Sequence, residues 1–377
     1  MSVRFERLHA DAGTHARRGR LHTPHGTVET PVFMPVGTQA TVKAVGQDDL
    51  RTLGAEILLG NTYHLMLRPG EELVGALGGL HRFMAWDRAL LTDSGGFQVY
   101  SLAQNRKISE EGASFQSHLD GSRWLLTPER SVQIQETLGA DVIMAFDECP
   151  PSKSDRRYME ESLARTTRWL QRCALAWTRG ESALFGIVQG GLDLELRRRH
   201  IEEVCAVELP GYALGGYSVG ERPEEMHASV AEVAPLLPAD RPRYLMGVGT
   251  PVDLVLAVGA GVDMFDCVLP TRCGRNGLLF THQGRLNLRN AIHARDERAP
   301  DPDCGCYTCR THSRAYLRHL FAADELLALR LATLHNLHHY LELMRGARAA
   351  IEEDRFAAYA EDVRRRESGR VPTDRAP

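Results

Sequence analysis

The residues best suited to chemistry stand at the ends of short apolar runs. Val262-Asp-Met-Phe265 delivers Asp266, and the chain then turns through Leu269-Pro270 into a segment holding Arg272 and Arg275. A carboxylate at a strand end beside cations suits attack on an electron-poor carbon of a phosphate-bearing substrate. Taken alone, Asp266 reads more readily as the cap of a turn. The other run ends reverse that reading. They are Asn61-Thr62, Asp93-Ser94-Gly95-Gly96, Asp147-Glu148, Gln189-Gly190-Gly191, Gly215-Gly216 and Gly247-Val248-Gly249. Carboxylates, amides and repeated glycines gathered on one rim are poorly explained by capping. Glycine there lets backbone N–H and C=O groups approach a flat ligand. No GxGxxG or Walker sequence occurs, so a dinucleotide or ATP site has no support.

A second group is built for metal. Cys304-Gly-Cys306-Tyr-Thr-Cys309 puts three thiols within six residues, ahead of a helical stretch with His335, His338 and His339. Three cysteines and one downstream histidine make the ligand set of a closed zinc site, with no open position for catalysis. Spacing does not choose among the three histidines. Cys149, Cys173, Cys205, Cys267 and Cys273 are scattered and read as small buried apolar residues.

The elements that position these groups follow from the apolar runs. Eight recur: Pro31 to Pro35, Glu56 to Leu59, Ala89 to Thr92, Val142 to Phe146, Ala183 to Val188, Tyr212 to Leu214, Tyr244 to Met246 and Val262 to Phe265. Runs that are apolar throughout suit parallel strands buried on both faces. The stretches between carry helix punctuation. Thr127-Pro128-Glu129 supplies an N-cap, a first-turn proline and an acid, and Gly139 stops the helix. Thr250-Pro251 opens another helix, closed near Gly259, and Asp155 to Trp177 keeps its apolar residues on one face. Eight alternations predict an α/β fold, a (β/α)8 TIM barrel; a doubly wound open sheet is the alternative. In such barrels chemistry gathers where strands end.

The expected organisation has an N-terminal β-hairpin cap over 1–30 and a catalytic barrel over 31–290. A helical zinc-binding subdomain over 291–360 packs on the barrel, and a flexible tail fills 361–377. The polar, glycine-bearing segment Gln104 to Trp124 reads as an insertion or a lid.

Composition sets bounds. The 377 residues, 43% of them hydrophobic, support a sizeable core. A net charge of −4 excludes a global polycation, so any nucleic-acid surface is local. Between Pro270 and Pro300 six arginines face two acids, which suits phosphates. No apolar run approaches the roughly 20 residues that span a bilayer. No apolar signal core follows Met1, and eight cysteines fit a reducing, cytoplasmic setting better than disulfides.

Several long segments then resemble, in order, the signatures of the tRNA-guanine transglycosylase family. They are Leu91-Thr-Asp-Ser-Gly-Gly-Phe-Gln98, Phe185-Gly-Ile-Val-Gln-Gly-Gly191, Tyr244-Leu-Met-Gly-Val-Gly249 and Phe265-Asp-Cys-Val-Leu-Pro-Thr-Arg272. The resemblance runs from about Phe5 to Phe356. It implies exchange of a tRNA guanine for a 7-deazaguanine without breaking the strand. Asp266 resembles the nucleophile and Asp93 the general acid/base. Asp147, Gln189 and the backbone of Gly216 resemble the base-reading groups, Phe97 and Met246 the sandwich, and Ser94 and Gln98 the pocket lining. Arg272 and Arg275 resemble contacts to the anticodon loop. Cys304, Cys306, Cys309 and His335 resemble the ligands of one structural Zn2+. Cys149 and Val219 match the bacterial pattern, which implies 7-aminomethyl-7-deazaguanine inserted at the wobble guanine of the aspartate, asparagine, histidine and tyrosine tRNAs. Tyr217 stands where leucine is expected in many relatives. The family is homodimeric. Two rivals remain: a barrel glycoside hydrolase, and a non-catalytic tRNA-binding subunit.

Overall fold

In a computed structural model, which describes residues 3–102, 104–151 and 154–369, eight parallel strands close on themselves. Three strands precede them: Arg4–Ala10 (β1), Arg17–Thr23 (β2) and Gly26–Thr30 (β3). The barrel begins with Val32–Pro35 (β4), Ile57–Gly60 (β5) and Ala89–Thr92 (β6). An inserted antiparallel sheet follows, Gln104–Ile108 (β7), Ala113–Gln116 (β8) and Arg123–Leu126 (β9). The barrel resumes with Val142–Met144 (β10), Ala183–Val188 (β11), Gly211–Leu214 (β12), Arg243–Leu245 (β13) and Met264–Cys267 (β14). The ladder runs from β5 through β14 to β4, and a Val36–Leu59 bridge closes the circle. All eight predicted runs are strands, and the open-sheet alternative is excluded by the closure.

Alternation explains why the runs are apolar throughout. Val32, Met34, Ile57, Leu59, Leu91, Met144 and Met264 share one interior cluster, while Phe33, Leu58, Leu90, Ile143 and Phe265 belong to the cluster packed on the helices. Helix punctuation falls where expected. Thr127 caps Pro128–Leu138, Asp155 caps Arg156–Ala176 and Thr250 caps Pro251–Gly259. Gly139 ends the first of these in the left-handed conformation.

The cap is a three-stranded sheet rather than a hairpin, because Gly26–Thr30 pairs back onto β2. Leu21 and Val28 join the barrel's interior cluster and plug the end where the strands begin. Arg17, in β2, pins this cap to the barrel, with Nε donating to Asp263 Oδ1 at 3.0 Å just ahead of β14. At the other end of the chain, Leu278–Thr281 (β15) and Gly284–Asn287 (β16) form a hairpin. The helix Leu326–Glu352 then returns to the barrel wall. Its Tyr340 ring lies 4.9 Å from Phe33, and Tyr340 Oη donates to Gly249 O at 3.1 Å. Barrel and C-terminal helix therefore share one core. The break expected at 361 falls inside a helix, Phe356–Ser368, which buries Phe356 and Val363. The remainder of the predicted tail, from 370, lies outside the described residues. No helix among the described residues is long and apolar enough to cross a membrane.

Candidate active site and candidate metal centre

A cavity of about 500 Å³ opens where the barrel strands end, within the ~300–1,000 Å³ usual for small-molecule sites. Asp93, Ser94, Phe97, Gln98, Asp147 and Gln189 line it, together with Gly216, Met246, Asp266, Arg272 and Arg275. The structure thus brings together every non-metal site residue predicted above. Cys149, Tyr217 and Val219 line the same cavity.

Register places Asp266. Strand β14 lies two residues later than the predicted run, so Asp266 sits within it, opposite Met34 of β4. Met264 faces the interior and Phe265 the helices, so Asp266, one step on, faces the mouth. Tyr244 Oη donates to Asp266 Oδ1 at 2.5 Å, and Gly247 N donates to the same oxygen at 2.8 Å. Among the described residues, Oδ2 accepts no hydrogen bond. Burial pushes the carboxyl above its ordinary value, and the two donors work against that rise.

Asp93 is buried just past β6. Asn61 Nδ2 donates to its Oδ2 at 2.6 Å and Thr62 N to its Oδ1 at 2.8 Å, and Gln98 adds a side-chain bond. Burial nevertheless raises its pKa to about 6, and the charge of Asp266 adds to the rise. Asp147 is held by Gln189 Nε2 at 2.7 Å and Ser94 Oγ at 3.1 Å, and burial pushes it to about 6 as well. All three carboxylates in this one mouth are raised by burial, Asp93 and Asp147 to about 6, the pattern expected of acid/base groups.

Glycine is required at one turn. Gly216 has φ +71°, and a Cβ there would collide with the Gln189 amide. Phe97 is 46% exposed, on the short helix Gly96–Leu102 that forms the lip. Arg272 and Arg275 lie in the last turn of the helix Leu269–Arg275, the first exposed and the second half-buried. Burial and the neighbouring Arg272 hold the Arg275 guanidinium below its usual range.

Two partners escaped the sequence reading. Asn61 stands at a strand end, but only tertiary pairing shows that it serves Asp93. Tyr244 reads as a core aromatic, and only the strand register turns its hydroxyl toward Asp266.

The four predicted metal ligands form a separate buried cluster. Cys304, Cys306 and Cys309 Sγ lie 3.7, 3.6 and 3.2 Å from His335 Nδ1. Their four donor atoms all fall within 4.8 Å of one another. His335 Nε2 lies 2.7 Å from Phe280 O. Nε2 therefore carries the proton, and Nδ1 keeps its lone pair for a metal. His338 instead pairs with Glu342 at 3.3 Å, and His339 packs against His282. The donor set fits a closed structural metal site.

Comparison with known proteins agrees with this geometry. The sequence model of the family described as "Queuine tRNA-ribosyltransferase" matches residues 11–368. The queuine tRNA-ribosyltransferase of Nitratidesulfovibrio vulgaris (strain DP4) is 58% identical over 354 residues, 93% of this chain and 94% of that protein. That of Halothermothrix orenii is 54% identical over 366 residues, 97% of this chain and 98% of its own. That of Geobacillus kaustophilus is 54% identical over 361 residues, 96% and 95%.

Proposed function

The chain belongs to the queuine tRNA-ribosyltransferase family, pentosyltransferases that act on tRNA and a guanine-type base, and on that footing we propose the finer reaction. It replaces the wobble guanine of the aspartate, asparagine, histidine and tyrosine tRNAs with 7-aminomethyl-7-deazaguanine, through a covalent ribosyl intermediate on Asp266. The observation that carries this reading is the single cavity shared by Asp93, Asp147 and Asp266.

The target base leaves the anticodon stack and enters the cavity. Asp147 and Gln189 read its amide edge, the Gly216 backbone meets the ring, and Phe97 and Met246 cover its faces. Oδ2 of Asp266 attacks C1′ of the ribose while the C1′–N9 bond breaks, its electron pair passing to N9. Protonated Asp93 supplies the proton that N9 takes up. Guanine leaves and the 7-deazaguanine enters. Asp93, now ionised, removes its N9 proton, N9 attacks C1′, and the ester bond to Asp266 breaks. Two displacements retain the configuration at C1′. Arg272 and Arg275 support the reading as contacts to the anticodon-loop phosphates.

Cys304, Cys306, Cys309 and His335 would hold zinc. Four protein ligands leave it no open position, so it contributes fold stability and no catalytic step. A homodimer belongs to the same proposal; sedimentation is expected to give twice the chain mass.

Incubation with labelled guanine and unmodified tRNA tests the reaction. Label is expected in intact tRNA. Unlabelled tRNA, or release of free sugar, would favour a hydrolase or a non-catalytic subunit instead.

A further inference from the structure

Behind the base-reading strand ends lies a buried cation that the chemistry above leaves unused. Arg197, in the first turn of the helix Leu194–Cys205, is fully buried and forms no ion pair among the described residues. Its Nε donates to Gly191 O at 2.9 Å and its Nη1 to Val188 O at 3.1 Å. Those two carbonyls flank Gln189. The guanidinium carbon lies 4.0 Å from the centroid of the Tyr217 ring, and Tyr217 directly follows Gly216. Nη2 has no hydrogen-bond partner among the described residues, and a Cβ added at Gly216 would lie 3.7 Å from it. One turn further along the helix, His200 Nδ1 accepts from Gln189 N at 2.9 Å.

A buried cation without a carboxylate is strongly disfavoured. Here two carbonyls and an aromatic face replace the missing charge, and each belongs to one of the two loops that read the base. Only a planar guanidinium meets all three at once; a lysine ammonium is a point charge on a flexible stem.

We propose that Arg197, stacked on Tyr217, is a positioning residue of the base pocket. It holds the ends of β11 and β12 at a fixed spacing, so that the Gln189 amide and the Gly216 backbone meet the same ring. This rests on the base-pocket reading given above. A residue that only fills the core would lower the active fraction and leave KM unchanged. A residue that sets the spacing acts on the KM for the free base.

Exchange of labelled guanine into tRNA, with KM measured separately for guanine and for tRNA, distinguishes these roles. Y217A removes the ring and is expected to raise the guanine KM about tenfold, with the tRNA KM within about twofold. Y217F keeps the ring and is expected to raise the guanine KM by less than about threefold. R197K is expected to match or exceed Y217A, and the Tyr217 pair decides the matter if R197K does not fold. A Y217A enzyme that loses only kcat, or a Y217F enzyme as impaired as Y217A, would overturn the inference while leaving the exchange reaction standing. A wild-type enzyme that places no guanine in tRNA would overturn the pocket reading, and the inference with it.

Discussion

Asp147 sits where a charged carboxylate is disfavoured, with its pKa raised from 3.8 to about 6 by burial. Above about pH 6 the folded protein bears the burial of a charged group. As pH falls through about 6 the folded carboxyl takes up a proton and that burden is relieved. Below the unfolded value, near 4, folded and unfolded forms are both protonated and the term is constant. A rise of about two pK units corresponds to on the order of 3 kcal/mol. D147N is therefore expected to be more stable than wild type at about pH 8, by on the order of 2 kcal/mol, and to lose that advantage at about pH 4. Urea melts at both pH values measure it; an equal gain at both would contradict the assignment. Asp93 titrates at about 6 too, and removal of a proton from the incoming base requires its ionised form. Base incorporation is expected to fall as pH drops through about 6. A rate that stays level from about pH 7 to 5 would exclude Asp93 as that base.

The metal loop and the long C-terminal helix act as one element. His335 faces the cysteines. One residue on, Asn336 accepts from Phe280 N at 3.0 Å and donates to Pro270 O at 2.9 Å. Pro270 opens the helix that ends in Arg272 and Arg275, so metal ligation is tied to the arginine-bearing segment. Wild-type protein is expected to carry about one zinc per chain, and Cys306→Ser to lose it with a Tm lower by on the order of 5 °C. Metal analysis and a thermal scan check both parts; C306S protein with its full metal content would remove the site.

Elements were the most legible level of the sequence. The strand runs alternate between two apolar faces, and proline, threonine and glycine mark helix ends, so local chemistry suffices to place them. The glycines, amides and acids past seven of the eight runs marked the cavity in the same way. What stayed hidden depended on pairing between distant residues. The third cap strand shows in sequence only as a turn at Pro24-His25-Gly26. The register that puts Asp266 inside β14 comes from its neighbour β4. Asn61 and Tyr244 serve carboxylates 32 and 22 residues away. The choice of His335 over His338 needed the family resemblance and then the coordinates, because both lie on the same helix.

At the scale of the whole molecule, the N-terminal cap and the chemistry occupy opposite ends of the barrel. The cap closes the end where strands begin, and the buried Arg17–Asp263 pair joins it to β14. Arg243 N also donates to Asp263 Oδ2, at 2.7 Å. Arg17→Met leaves that carboxylate buried without its cation, at a cost of about 3–5 kcal/mol. Its urea midpoint is expected to fall accordingly, with KM for the base unchanged. A midpoint equal to wild type would mean the pair holds nothing together.

The account depends most on a bond between one oxygen of Asp266 and the C1′ of a ribose. The direct measurement is denaturing electrophoresis of enzyme mixed with unmodified tRNA, scored for a protein–RNA adduct that survives unfolding. Wild-type protein is expected to give the adduct and Asp266→Asn to give none. An adduct of undiminished yield with Asp266→Asn would place the nucleophile elsewhere.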